Sequence, residues 1–525
     1  MSKPFVKSFS VLMALTLALP VYASPFRVPQ SETAAMSLHG LEKVGIDGWT
    51  KFLVKGKNAG LSVSELREPI MVALSQAKNE QELFKSIKTI AESAKINSLE
   101  DYRDLGVLLL ELRQELRQHK GMGLKSRQDS LFLMEMLAEE SLHVGSKKFA
   151  NFPQEISIGG ANSTTGKATA LRTFQVQTGD VVLSKATGFG SSSFIALTMD
   201  HPHIYSHSTP VYVSNQGELL SPEADIEDGV KLRRMAKDYI DGSKTRMYIY
   251  RYQGAEGATQ NKIEAGAQSL ITDMYQRTEG DPFTKAAYKY DFSMTPGEVN
   301  SRGMFCSSVA YEMYARAGLT GNKNPYAESV WSPISKSREE LLKILNMNTN
   351  KVPAPGDLEL NPEFRLVGAR IDVSKLSQDR VEMAIVDTFL REIANNRETL
   401  QRVADVLNSL SSKPIDKEAL KKMAASGILP KELADKAAMI DKIPDSINLK
   451  QMVFFAFLNE VMTPKLRGAL MLQVSALEKT GKIVGPVELR KMARAQGKLM
   501  LAELSKLEEK VMATTGVGSC GKVLL

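Results

Sequence analysis

Two residue types able to do nucleophilic chemistry are scarce in this chain. Of 525 residues, two are cysteine and six are histidine. Cys306 stands in "GMFCSSVAYEMYARAGL" (303–319), where Val309, Ala310, Met313 and Ala317 share one helical face and Gly318 sits at a closing position. The spacing predicts a helix whose first turn contains the cysteine. A buried cysteine is ordinarily a small core residue. At a helix N-terminus, however, the backbone N–H groups and the macrodipole favour an anion, so a thiolate has a physical reason to be there. A thiolate is formed best beside an imidazole, and three of the six histidines crowd into "DHPHIYSHSTP": His201, His203 and His207. A third polar group is then expected to hold the far nitrogen of the imidazole.

The turn "SNQG" after the His207 segment suggests where that group lies. If Val213 and Glu218 flank the turn, antiparallel pairing sets His207 opposite Ala224; a loop one residue shorter sets it opposite Glu223. Glu223 is the first candidate, with Asp225 and Glu218 behind it. A zinc site made from His201, His203, His207 and Cys306 competes, although closely spaced loop histidines would need a supporting second shell.

The elements that must carry these residues fall into three parts. Residues 1–23 have the pattern of a secretory signal peptide: Lys3 and Lys7, an apolar stretch, then Val21-Tyr22-Ala23 as a cleavage site. The expectation is an exported chain, periplasmic or secreted, with no transmembrane anchor after cleavage. Residues 24–156 read as helical. The clearest helix is 98–118, with Ser98 and Asp101 as a capping pair and Leu105, Leu109, Leu112 and Leu116 as its apolar stripe. Residues 157–171 read as a glycine- and threonine-rich linker. An α+β unit over 172–345 contains strands at "TGDVVLSK", "SHSTPVYV", "ELLSPEAD" and "KTRMYIYRYQ", and helices at "SSSFIALTM", 259–277 and Cys306. A proline-rich connector covers 346–375, and 376–525 reads as helical with breaks near Pro414, Pro430 and Pro444. The formal net charge of +7 is small for this length, and Lys/Arg alternate with Asp/Glu along the helices. Such alternation reads as solvated helix faces and argues against a nucleic-acid partner. With two cysteines, stability must come from packed cores rather than disulfides.

"GDVVL", a helix, "YSH" opening a strand, "PEA" in the next, "YDF" and then "FCSS" follow one another in an order that resembles the permuted papain-like hydrolases of the YaeF/YiiX type. These are related to NlpC-type cell-wall endopeptidases and to lecithin–retinol acyltransferase. The resemblance spans about 172–345, roughly a third of the chain. It implies a permuted papain-like domain flanked by helical regions, with Cys306 as nucleophile, His207 as base and Glu223 as third residue. Tyr290 in "KYDF" would match a tyrosine that helps bind the developing oxyanion, beside the backbone N–H of Cys306. Pro210, three residues after His207, departs from the family pattern and predicts an edge strand or a bulge.

The expected activity is thiol-dependent hydrolysis of an amide bond through an acyl-enzyme, needing no metal or organic cofactor. The substrate would be a peptide, peptidoglycan or lipid of the cell envelope. A lipid-directed acyltransferase or esterase on the same site, and a non-catalytic envelope binding protein, are the alternatives. Cys306 and Cys520 are expected not to pair.

Overall fold

A computed structural model describes residues 41–42, 44–117, 119, 121–159, 164–188, 190–198, 204–225, 229–235, 244–254, 256–291, 303–326, 336–347, 355–408 and 449–515. The expected signal peptide, His201, His203, Cys520 and the breaks near Pro414, Pro430 and Pro444 lie outside these residues.

Helices lead: α1 (Asp47–Lys55), α2 (Arg67–Gln76), α3 (Glu80–Ala91), α4 (Leu99–Arg117) and α5 (Leu124–Lys148). Helix α4 starts where the reciprocal cap forms, Ser98 N–H to Asp101 Oδ2 at 2.9 Å and Asp101 N–H to Ser98 Oγ at 3.2 Å. Its four-leucine stripe is fully buried. Strands β1 (Glu155–Gly159), β2 (Ala168–Leu171), β3 (Phe174–Gln177) and β4 (Val181–Ala186) follow, then α6 (Gly190–Thr198). Next come β5 (His207–Pro210), β6 (Tyr212–Val213), β7 (Leu219–Asp225), β8 (Gly229–Arg234) and β9 (Lys244–Tyr252). After them run α7 (Gly257–Arg277), α8 (Cys306–Arg316), α9 (Lys336–Ile344), α10 (Asp357–Leu360), β10 (Phe364–Asp372), α11 (Val373–Asn395) and α12 (Arg397–Asn408). The described chain ends with α13 (Leu449–Ala456), a π-helical turn (Phe457–Met462), α14 (Thr463–Lys479), α15 (Pro486–Ala495) and α16 (Gly497–Thr515). Among the described residues no helix is long and apolar enough to cross a membrane.

The architecture is α+β with antiparallel sheets. Five strands form the main sheet in the order β1-β10-β9-β4-β5, and β6-β7-β8 form a second. Alternation divides the main sheet cleanly. Val181, Leu183, Tyr248, Tyr250 and Ile371 belong to the core shared with the helices. Val182, Met247, Ile249 and Val367 pack in a separate cluster with β2, β3, β6 and β7.

Three expectations are corrected by this topology. The linker 157–171 and the connector 346–375 contribute to sheets: β1 pairs with β10, β10 pairs with β9, and β2 pairs with β3. A bulge between Leu366 and Gly368 interrupts the period-two pattern by which β10 would have been read. "SHSTPVYV" is not one strand. It breaks at Val211, whose N–H and C=O bond to Asp180 and Gly179, so β5 enters the main sheet and β6 the second. The acidic residues of α5 are not a solvated face: Glu135, Glu139 and Glu140 are buried against Tyr248, Arg246 and Arg380 respectively. Their partners come from β9 and α11, distant in sequence.

Candidate active site

The first turn of α8 carries the thiol. The chain enters it through Gly303 at φ +123°, where a Cβ would lie 2.4 Å from the Lys289 carbonyl oxygen. Met304 then bridges to the segment of Tyr290, donating to Lys289 O at 2.9 Å and accepting from Asp291 N–H at 3.1 Å. Phe305 is extended, and its N–H donates to Ser308 Oγ at 2.9 Å. That bond starts the helix at Cys306, leaving the first N–H groups without intrahelical acceptors. Gly318 at φ +78° closes the far end. Close contact with α7 at Gly266, where a Cβ would lie 2.5 Å from Ala317 N, and the Tyr314 hydroxyl bond to Gly179 O at 2.7 Å fix the helix against the sheet.

Strand β5 is the edge of the main sheet, as Pro210 requires. Val211 donates to Asp180 O at 2.7 Å, so strand alternation directs the Ser208 N–H and the Pro210 nitrogen away from β4. The missing donor of Pro210 therefore costs no ladder bond. The Ser208 N–H is turned toward the Cys306 thiol instead, where it favours the thiolate. The Ser208 side chain faces α8, with Ser307 Oγ at 3.2 Å and the buried Tyr326 hydroxyl at 3.3 Å. His207 and Thr209 face the other way, toward β7, and Thr209 Oγ1 donates to Pro222 O at 3.1 Å.

His207 Nε2 is 2.9 Å from Glu223 Oε1, and the imidazole lies beside the Cys306 thiol, each favouring the charged form of the other. The approach differs from the expected ladder. The β6–β7 register, Val213 opposite Leu219, would extrapolate to Asp225 opposite His207. His207 instead pairs with Ser184, and Glu223 reaches it by its side chain across the gap between sheets. Of the other carboxylates, Asp225 lies close by and Glu218 is engaged by Arg234 at 2.7 Å on the surface. Tyr290 is buried beside Met304, two residues before the thiol.

Burial and Lys244 oppose the charged imidazole, but its bonds to Cys306 and Glu223 and the Glu223 charge prevail, raising His207 to about 9. Burial opposes the thiolate too. The His207 hydrogen bond and charge, with the Ser208 N–H and the Ser307 hydroxyl, nevertheless hold Cys306 below its ordinary value. Burial would likewise raise Glu223, yet His207 and Lys244 keep it ionised below the usual range. Thiolate and imidazolium thus stabilise each other in this arrangement.

His207, Glu223 and Asp225 offer one nitrogen and two carboxylate oxygens within 4.8 Å of one another, a spacing a divalent ion could use. Lys244, 3.7 Å from Glu223, and Arg233, 3.0 Å from Asp225, already answer these negative charges. Sequence reasoning did not single out Ser208, Lys244 or Arg233. Only the alternation of an edge strand could have pointed to the Ser208 N–H. Comparison of the chain with protein-family models, curated proteins and solved structures finds no match.

Proposed function

We propose that this protein is an exported cysteine hydrolase of permuted papain-like type that cleaves an amide bond through an acyl-enzyme. The observation that carries the reading is that Cys306, His207 and Glu223 are brought together, with His207 Nε2 2.9 Å from Glu223 Oε1 and the thiol beside the ring. Its chain order, base strand before nucleophile helix, agrees with the permuted arrangement.

In this reading the Cys306 thiolate attacks the substrate carbonyl carbon, and the carbonyl π pair moves onto oxygen. The Cys306 N–H and the Tyr290 hydroxyl stabilise that oxyanion. Its collapse breaks the C–N bond while imidazolium His207 gives its proton to the leaving nitrogen, producing an amine and a thioester on Cys306. Neutral His207 then takes a proton from water as the oxygen attacks the thioester. Expulsion of the thiolate releases a carboxylic acid and restores the ion pair. Glu223 keeps the ring oriented and favours its charged state throughout.

The test uses p-nitrophenyl acetate with acid quench and peptide mass spectrometry. A stoichiometric burst with the acetyl group on Cys306, absent in Cys306→Ser and in His207→Ala, is expected. A burst that survives Cys306→Ser, or an acetyl group mapped elsewhere, overturns the proposal.

A further inference from the structure

Two more charged side chains converge on the His207–Glu223 pair, from positions the mechanism does not use. Glu223 and Asp225, two apart on β7, face the same side. Their carboxylates and a His207 ring nitrogen lie within 4.8 Å of one another, and Asp225 is itself held by Arg233 at 3.0 Å. Lys244 opens β9 and sets its Nζ 3.7 Å from Glu223 Oε1.

The backbone is shaped to bring Lys244 there. Strands β4 and β9 pair in step as far as Lys185 opposite Arg246; a bulge then sets Ala186 opposite Lys244. Strict alternation would leave Lys244 on the face of Arg246, where Lys185 and Arg246 are buried with Asp379 and Glu139. The irregularity turns it to the face of Ser184 and His207. Bulges re-aim side chains in this way beside functional sites.

We propose that Lys244 and Asp225 are opposed positioning residues of the His207–Glu223 pair: Lys244 draws Glu223 charge away from the imidazole, and Asp225 adds charge that favours its ionised form. This rests on the reading of Cys306 and His207 as nucleophile and base. The charged groups around His207 are Glu223 and Asp225 from β7, Lys244 from β9 and the thiol from α8, with Lys231 opposite Glu223 and Arg233 on Asp225 from β8. Lys244 both opposes the imidazolium and touches its partner carboxylate. Together the two charges set the upper end of the pH range over which the ion pair persists.

The experiment follows iodoacetate alkylation of Cys306 in the full-length protein from pH 5 to 10 by mass spectrometry. An anionic reagent reacts faster with a thiolate beside an imidazolium than beside a neutral ring. The rate therefore falls as His207 loses its proton near pH 9. Lys244→Met should move this falling limb up by roughly one unit, and Asp225→Asn should move it down by a similar amount. Lys244→Arg should return the limb close to its wild-type position. A bell-shaped wild-type profile with both limbs unmoved in Lys244→Met and Asp225→Asn overturns this inference and leaves the nucleophile–base reading standing. A wild-type rate that only rises, through the ordinary thiol range, overturns both. Should Lys244→Met not fold, an unmoved limb in Asp225→Asn alone refutes the inference.

Discussion

Replacing Glu223 by glutamine keeps the side chain's length and an acceptor oxygen while removing its charge. In the folded chain His207 is raised from 6.5 to about 9, with Cys306 and Glu223 overcoming burial and Lys244. A hydrogen bond to a charged partner contributes roughly 1.5–3 kcal/mol. At about 1.4 kcal/mol per tenfold, that is a ten- to hundredfold preference for the charged ring. Glu223→Gln should therefore leave the thiolate–imidazolium pair ten- to a hundredfold less populated against the neutral pair at pH 6. The assay is alkylation of Cys306 by uncharged iodoacetamide, timed by mass spectrometry across the pH range. At pH 6 the variant should react more than threefold and up to about a hundredfold more slowly than the wild type. At pH 10, where both thiols ionise, the rates should agree within about threefold. Rates within threefold at pH 6 would refute the reasoning. So would an equal deficit at both pH values, since that marks a displaced Cys306 rather than a lost charge.

Buried His143, held between Ser377 and Glu478, is pushed down to about 3, chiefly by burial. Below its ordinary 6.5 the unfolded chain binds a proton that the folded chain does not. Stability should therefore fall as pH drops from about 6.5 toward 3, by up to about 1.4 kcal/mol per unit, and His143→Phe should flatten that slope in urea titrations. Glu359 accepts from Arg113 Nη2 at 2.6 Å, Tyr250 at 2.9 Å and Tyr205 at 3.2 Å, all buried. Glu359→Gln leaves Arg113, among the described residues, a single nearby carboxylate, Glu135 at 3.4 Å, and should cost about 3 kcal/mol in chemical denaturation; a cost under about 1 kcal/mol would contradict that role. Tyr290→Phe should lower kcat on an activated ester about tenfold or more with KM little changed, and an unchanged kcat removes Tyr290 from the oxyanion site.

What could be read before folding was local. The leucine stripe and the Ser98–Asp101 cap define α4, and the apolar spacing after Cys306 with Gly318 beyond it defines α8. These signals act within a few turns of chain, so a linear reading captures them. Pro210 likewise announced an edge strand or a bulge, because a residue without an N–H is excluded from a central ladder position, and β5 is an edge. The candidate pair Cys306 and His207 was legible from scarcity and helix position, and Glu223 only as one of three carboxylates.

The remainder depended on partners far apart in sequence. That β10 lies between β1 and β9 follows from the burial of Ala369 and Ile371 on the helix side, which no local period specifies once the bulge interrupts it. Glu135 and Glu139 look solvated along α5 but are desolvated, because Tyr248 and Arg246 of β9 meet them there. The choice of Glu223 over Glu218 depends on β5 and β6 dividing between two sheets at Val211. The direction of Lys244 depends on a single irregularity between β4 and β9. By itself the sequence determined which residues could react and which helices could carry them. The charge state of those residues was decided by tertiary structure, because it arises from groups that only folding brings within a few ångströms and away from water.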